Sequence, residues 1–463
     1  MSLVAVVLAA GQGTRMKSET PKVLHTAAGR TLLGWALESI AGVAPDRVLV
    51  VVGYGADQVA KTLPEKAEAV LQQPQLGTGH ATSIALEHLG ELNDSDVVII
   101  TNADMPLVTK ELLSTVVDGV GDSAGVMVST ALTEPFGYGR VVRDSDGNLA
   151  RVVEERDATV AEKALTEVNA GIFAFHGGVL ASGLRSLAPE NAQGEYYLPD
   201  VLPVLLSGGY RIEVVKADPS EVLGVNSHDQ LAQAEAVLRA RLNRGWQREG
   251  VFMQDPDRTY IGADVRLAPG VRLYPGVHLE GSTKVEAGAV VGPEVFASNS
   301  TIRRGARVWY SVLRDADVGE ESEVGPYASL RPGTEMGSRS KAGTFVEMKN
   351  TSLGEDAKVP HLSYMGDATI GERTNVGAGS ITCNFDGYEK HETVIGDDVF
   401  IGSDTMLVAP LTIGDRAVTG AGSVITHDVE DGALALERSD QKDIPGYAAR
   451  REQQRHQDAQ TED

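Results

Sequence analysis

The sequence predicts an α/β domain with a Rossmann-like, mostly parallel sheet, followed by a parallel β-helix. Three observations carry that expectation. Up to about residue 228, apolar strand-like runs alternate with stretches of helical spacing. From about residue 251, aliphatic residues recur every sixth position. Between them, "DQLAQAEAVLRARLNRGWQR" is long, rich in Ala, Leu and Arg, and free of Pro, so 229–250 reads as a helical linker. The domains are then 1–228, 229–250 and 251–447, with a polar, aperiodic tail at 448–463 expected to be disordered.

In order along the chain, residues 3–8 of "LVAVVLAAGQGTRM" form a continuous apolar run, as in a buried parallel strand. "RVLVVVGYG" (47–55), "VVII" (97–100), "GVMVST" (125–130), "AGIFAF" (170–175) and "RIEVVKA" (211–217) are the further clear strands. "TLLGWALESIAG" (31–42) and "KELLSTVVDGV" (110–120) have helical spacing. In such a sheet, ligands bind beyond the carboxyl ends of the strands. The loop after the first strand stands at such an end. Gly11 and Gly13 permit a tight turn and close approach of a ligand to the backbone. Exposed N–H groups there, with Arg15 alongside, suit phosphate, although a plain glycine turn has the same composition. No Gly-Lys-Ser/Thr follows at P-loop spacing, and Met16 stands where a dinucleotide fingerprint has its third glycine.

In the second half, Ile261, Leu267, Leu273, Leu279, Val285 and Val291 mark the six-residue period. After a phase reset come Val318, Val324, Leu330, Met336, Ala342 and Met348, then Ile395, Ile401, Leu407, Ile413, Thr419 and Ile425. Neither a helix nor a flat strand has this period. A solenoid with short faces does, with each marked residue pointing inward and three hexads per turn, roughly nine to ten coils in all. The register breaks after Val376, where "GAGSITCNFDGYEKHETV" reads as an external loop of the kind that forms sites.

Composition bounds the function. The charged and hydrophobic fractions, 23% and 42%, are those of a soluble globular protein. A net charge of -24 argues against nucleic-acid binding. No run approaches membrane-spanning length, the start leads directly into a strand, and a lone Cys383 rules out an internal disulfide framework. The expectation is a cytoplasmic protein acting on small molecules.

The motifs "LAAGQGTRM", "PKVLH", "QLGTGHA", "NADMP", "GYGR", "VEERDA", "NAGI", "NAQGEYYLPD" and "GVN" follow one another in the first half. "RPGTEM", "FVEMKN", "HLSYMGD", "NVGAGSITCNFDG" and "GSDTMLVAP" follow in the second. In this order they resemble the family of bacterial bifunctional N-acetylglucosamine-1-phosphate uridyltransferase/glucosamine-1-phosphate N-acetyltransferases, up to about residue 447. The resemblance implies a nucleotidyltransferase domain and a left-handed hexapeptide-repeat β-helix that assembles as a homotrimer. It implies acetylation of glucosamine-1-phosphate by acetyl-CoA, then transfer of UMP from UTP, giving UDP-N-acetylglucosamine for the bacterial envelope.

For uridylyl transfer, a sugar phosphate oxygen attacks the α-phosphorus of UTP and pyrophosphate leaves, so alignment and charge neutralisation are the main demands. The resemblance assigns Arg15 and Lys22 to the triphosphate as catalytic cations, with the backbone of Leu8, Ala9, Ala10, Gly11 and Gly13 around the nucleotide. It assigns Gln72, Gly77 and Thr78 to uracil, and Gly139, Glu154 and Asn169 to the sugar. Asp104 and Asn226 are the implied ligands of Mg2+, a metal content with two protein oxygens and the rest from water and phosphate. Locally, Lys22 also reads as a solvated lysine, Asp104 as a turn aspartate and "LGTG" as a simple turn.

For acetyl transfer, the attacking amine must lose a proton, so a base is required. His361 matches the family's base, although a lone histidine is more often structural. Glu347, within one coil of it, is expected to orient His361 or steady its charged form. Arg331, Lys349 and Lys390 match the phosphate-contacting cations, with Tyr364 beside them and Asn375 on the sugar. Asn384, Phe385, Ala378, Ser403, Ala421 and Arg438 match the acetyl-CoA contacts. The family commonly has tyrosine where this chain has Phe385, which leaves the oxyanion donor open. A solenoid filled by its own side chains has no room for a coenzyme inside, so grooves between sister copies are the expected place. The alternative is a monofunctional sugar-1-phosphate nucleotidyltransferase whose β-helix only oligomerises or regulates; His361, Lys349 and the external loop argue against a pure scaffold.

Overall fold

The computed structural model describes residues 2–461 and divides them into two compact units. The first runs to Trp246 and takes in Tyr260–Asp264; the second comprises Gln247–Thr259 and the chain from Val265 onward. The 229–250 segment is a single helix, His228–Arg248, but not a free-standing connector: its Ala234 and Leu238 are buried in a cluster with Ala27, Leu32, Leu107 and Val225. Apolar positions on one face give it a core to join.

The first unit is built on a nine-stranded sheet. Its strands are β1 (Leu3–Ala9), β2 (Arg47–Val52), β3 (Ala67–Leu71), β4 (Val97–Asn102), β5 (Gly125–Ala131), β6 (Arg140–Arg143), β7 (Leu149–Val153), β8 (Glu167–His176) and β9 (Ile212–Lys216). The main order is β9-β5-β8-β4-β1-β2-β3, with β6 and β7 attached beside β8. β8 runs antiparallel to both β4 and β5; the remaining main-path pairs are parallel. Val4 to Val7 of β1 and Val97 to Ile100 of β4 are buried on both faces, which is why they read as unbroken apolar runs. Helices α1 (Leu32–Ala41), α2 (Thr78–Leu89) and α3 (Lys110–Asp118) are among those flanking the sheet.

The second unit is a parallel β-helix. One face is an eleven-strand ladder, one strand more than the upper expectation of ten coils, since the short rungs Phe252–Met253 and Leu434–Ala435 extend it at both ends. Away from the insertion, successive rungs pair residues 16 to 18 apart, as in Arg307 with Glu323, Lys284 with Thr301 and Arg272 with Val290. The spacing widens to 25 between Asn375 and Phe400, where the external loop is inserted. All eighteen positions of the six-residue pattern are buried. Thr419, a polar residue in that series, is satisfied: its hydroxyl accepts from the Gly402 amide at 2.9 Å.

The tail differs from expectation. Residues Tyr447–Thr461 form a helix, with every side chain described there exposed. The Ala, Arg, Glu and Gln of "AARREQQRHQDAQ" are good helix formers, so the segment is polar without being devoid of structure.

Candidate active sites

Two clefts of about 160 and 200 Å³ lie at the carboxyl ends of β1 and β4 and share Leu8, Thr78, Asn102 and Asp104. Leu8, Ala9, Ala10, Gly11, Lys22, Gln72 and Gly77 complete much of the first. A Cβ added to Gly11 would meet nothing, so the backbone there borders open space. Gln72 is buried, and its amide donates to the Gly77 carbonyl at 3.0 Å, bracing the turn that opens α2 at Thr78. Gly13 and Arg15 line neither cleft; Arg15 is exposed in the short turn Thr14–Met16, and a Cβ on Gly13 would come within 2.6 Å of the Lys22 side chain.

Gly139, Glu154, Asn169 and Asn226 line the second cleft. The register of β8 against β5 shifts between Asn169 and Phe173, turning Asn169 toward this opening, where its side-chain oxygen accepts from the Gly171 amide at 2.9 Å. Gly139 is required: a Cβ would stand 2.9 Å from both Glu154 Oε1 and Val152 Cγ1. Burial, reinforced by the charges of Asp200 and Asp157 and opposed by Arg140, pushes the Glu154 carboxyl up to about 7. Tyr138, also in the lining, has its phenol raised by burial and by Asp104.

The two implied metal ligands converge. The Lys22 ammonium is hydrogen-bonded to Asp104 Oδ2 and lies 3.1 Å from Asn226 Oδ1, so the two oxygens address one cation position. A donor set of one carboxylate and one amide oxygen, already around a positive charge, fits a hard cation. Asn102, in the lining of both clefts, was missed in the sequence, although a polar residue closing the apolar run "VVIIT" is a signal for it.

On the second unit, the cationic residues gather. Arg331 donates to Glu347 Oε1 at 2.7 Å. Glu347 pairs in register with Tyr364, and Lys349 with Gly366, so Arg331, Glu347, Lys349 and Tyr364 share one face. The neighbouring Lys390 ammonium, with Arg331 adding to it, holds the Lys349 amine below its usual range, and Asp367 opposes that effect. The external loop is a tight turn in which Phe385 bridges Lys390 and Asp386 accepts from the amides of Tyr388 and Glu389. Asn384 is buried at its base; the Phe385 side chain is exposed.

His361 lies on the eleven-strand face, exposed, with Thr344 as its register partner. The expected pairing with Glu347 is therefore not formed: a one-coil step carries His361 back to Thr344, and the Glu347 carboxylate is engaged by Arg331. Asn375 is likewise on this face, paired with Lys358 and Phe400, rather than beside Tyr364. One coil beyond His361 comes Ala378, then Ser403, then Ala421, whose carbonyl accepts from Arg438 at 3.0 Å. The candidate base and four of the expected coenzyme positions thus form one longitudinal row.

An α/β domain with a phosphate-suited cleft, followed by a hexad-repeat β-helix, defines a transferase of two domains. A MobA-like NTP transferase domain matches residues 5–167, and the bacterial transferase hexapeptide (six repeats) matches residues 392–427. The bifunctional protein GlmU of Streptomyces coelicolor is 46% identical over 453 residues, covering 96% of this chain and 94% of the relative. That of Desulfitobacterium hafniense (strain DSM 10664 / DCB-2) is 43% identical over 449 residues, covering 96% and 98%. The chain belongs to the GlmU family and is a bifunctional transferase, with uridyltransferase and acetyltransferase activities. The scaffold-only alternative for the β-helix is not favoured.

Proposed function

We propose the following division of labour. The second unit moves the acetyl group of acetyl-CoA onto the amine of glucosamine-1-phosphate. The first unit then joins the product to UMP from UTP, releasing pyrophosphate. The observation that carries this reading is the pair of separate sites, each with the charges its reaction needs. In the first, Lys22 and Arg15 neutralise the triphosphate, Gln72, Gly77 and Thr78 hold the base, and Gly139, Glu154 and Asn169 hold the sugar. Asp104 and Asn226 would hold Mg2+, which when bound neutralises crowded phosphate oxygens. Because Lys22 touches both of those side chains, it is placed to change partners when the nucleotide arrives.

In the second, His361 takes the proton from the sugar ammonium and frees the attacking lone pair. Arg331, Lys349 and Lys390 bind the sugar phosphate; the repulsion that lowers Lys349 is relieved by a bound anion. Asn375 contributes to the sugar from the His361 face. The row from His361 to Arg438 receives the coenzyme, with the Phe385 backbone near the thioester. The solenoid acts as a homotrimer. In support, Tyr310, Tyr327, Phe345 and Leu362 project from successive coils as an exposed apolar row, and Leu362 adjoins His361. The ring centroids of Tyr327 and Phe345 are 5.3 Å apart. No helix of the described residues is long and apolar enough to cross a membrane, and a cytoplasmic setting suits these substrates.

The test is a cross pattern. His361→Ala is expected to lower thiol release from acetyl-CoA by a factor of about 100 or more and to leave pyrophosphate release within about twofold. Asp104→Ala should do the reverse. Loss of both activities in either folded variant would overturn the two-site assignment.

A further inference from the structure

We infer that Asp367 is a positioning residue for acetyl transfer, clamping Asn384 so that the carbonyl oxygen of its side chain faces the amino group of the sugar. The inference rests on the acetyltransferase reading above.

Asp367 stands at a corner of the coil with a left-handed backbone, φ 49°. Its two carboxylate oxygens are separately engaged: Asn350 Nδ2 donates to Oδ1 at 2.8 Å and Asn384 Nδ2 donates to Oδ2 at 2.5 Å. Burial raises this carboxyl, but the two amides and the ammonium groups of Lys390 and Lys349 outweigh it and keep it below its usual range. An ionised carboxylate only accepts, so each asparagine must present its NH2. The orientation of Asn384 is therefore fixed by chemistry: with Nδ2 committed to Asp367, Oδ1 is turned away.

The rest of Asn384 is also held. Its amide donates to the Thr382 carbonyl at 3.0 Å, and its carbonyl accepts from the His391 amide at 2.8 Å. Beneath it Gly366 leaves space: a Cβ there would meet the Tyr364 hydroxyl at 2.3 Å and Asn384 Nδ2 at 2.8 Å. Tyr364 and the Asn384 amide thus lie together over Gly366, and the charges of Lys349 and Lys390 act on the Asp367 that holds Asn384. The Oδ1 left free on the far side of that amide would accept one N–H of the neutral amine and aim its lone pair at the thioester carbon. Asp367 touches no reacting atom; it acts through Asn384.

The competing role for Asp367 is a counter-charge for Lys349 and Lys390, which would alter binding of the sugar phosphate alone. Thiol release from acetyl-CoA with glucosamine-1-phosphate separates the two in the full-length chain. Asp367→Asn and Asp367→Glu are each expected to lower kcat about tenfold or more, with KM for the sugar phosphate within about twofold. Asp367→Glu keeps the charge but displaces the acceptor, so a counter-charge role predicts no loss. Asn384→Ala should show a similar fall, and combining it with Asp367→Asn should cost no more than the worse single change. A kcat within twofold of the parent for both Asp367 variants, an effect confined to KM, or losses that multiply would overturn the inference. So would failure of both Asp367 variants to fold, which would make the residue a structural one. A parent chain that releases pyrophosphate but no thiol would instead defeat the acetyltransferase reading.

Discussion

At the scale of single residues, Glu154 is the group whose charge the fold constrains most visibly. Its carboxyl is raised to about 7 in the folded chain by burial and by Asp200 and Asp157. The folded protein then binds more protons than the unfolded chain between about pH 4.5 and 7, so stability falls as pH rises through that window. Glu154→Gln should flatten this part of the profile and raise the melting temperature at pH 8 relative to the parent. An unchanged slope in melting temperature against pH would show that the carboxyl is ionised throughout. The candidate sugar site was legible as a set of polar residues; this property was not, because Asp200 is distant in the chain and only the fold brings its charge near. The same holds for Lys22, Asp104 and Asn226, bland individually and joined only by the topology. The opposite error arose at Glu347, where distance along the chain suggested a partner for His361 and the register of the coil supplied Thr344.

At the scale of elements, the β-helix was the more readable half. Each hexad places one side chain in an enclosed position, so the period survives in the sequence almost without noise. The hand of the coil left no such trace. The tail misled because low hydropathy was read as absence of structure, while its helix-forming residues favour a local helix. Energetically, each inward residue is packed by the rungs above and below. Leu330 is fully buried between Leu313 and Met348 on neighbouring coils. Leu330→Ala is therefore expected to destabilise the β-helix by about 2–5 kcal/mol, with pyrophosphate release from the first unit largely retained. Calorimetry with both activities measured on the same sample would check it; equal loss of both activities would contradict the independence of the two cores.

At the scale of the whole molecule, the strongly acidic chain must bind phosphates twice over. In the proposed reading it would do so by concentrating positive charge: Lys22 and Arg15 near one cleft, Arg331 and Lys349 on one wall of the coil with Lys390 of the external loop beside Lys349. On the proposed homotrimer, the exposed apolar row beside His361 would tie acetyl transfer to assembly. Dilution or an interface substitution such as Tyr327→Glu should dissociate the oligomer and remove acetyl transfer while sparing uridylyl transfer, read by sedimentation alongside both assays. A monomer that still acetylates at the parental rate would separate the active site from the assembly.

The row from His361 through Ala378 and Ser403 to Ala421 gives the coil the character of a ruler. Loss of about eighteen residues would shorten the distance between its marks and leave them aligned, whereas loss of about six between Ser403 and Ala421 would turn everything beyond by one wall. Arg438 would then point away from the edge that holds His361. A change of length by whole turns therefore keeps the row, whereas the loss of a third of a turn from within the wall breaks it.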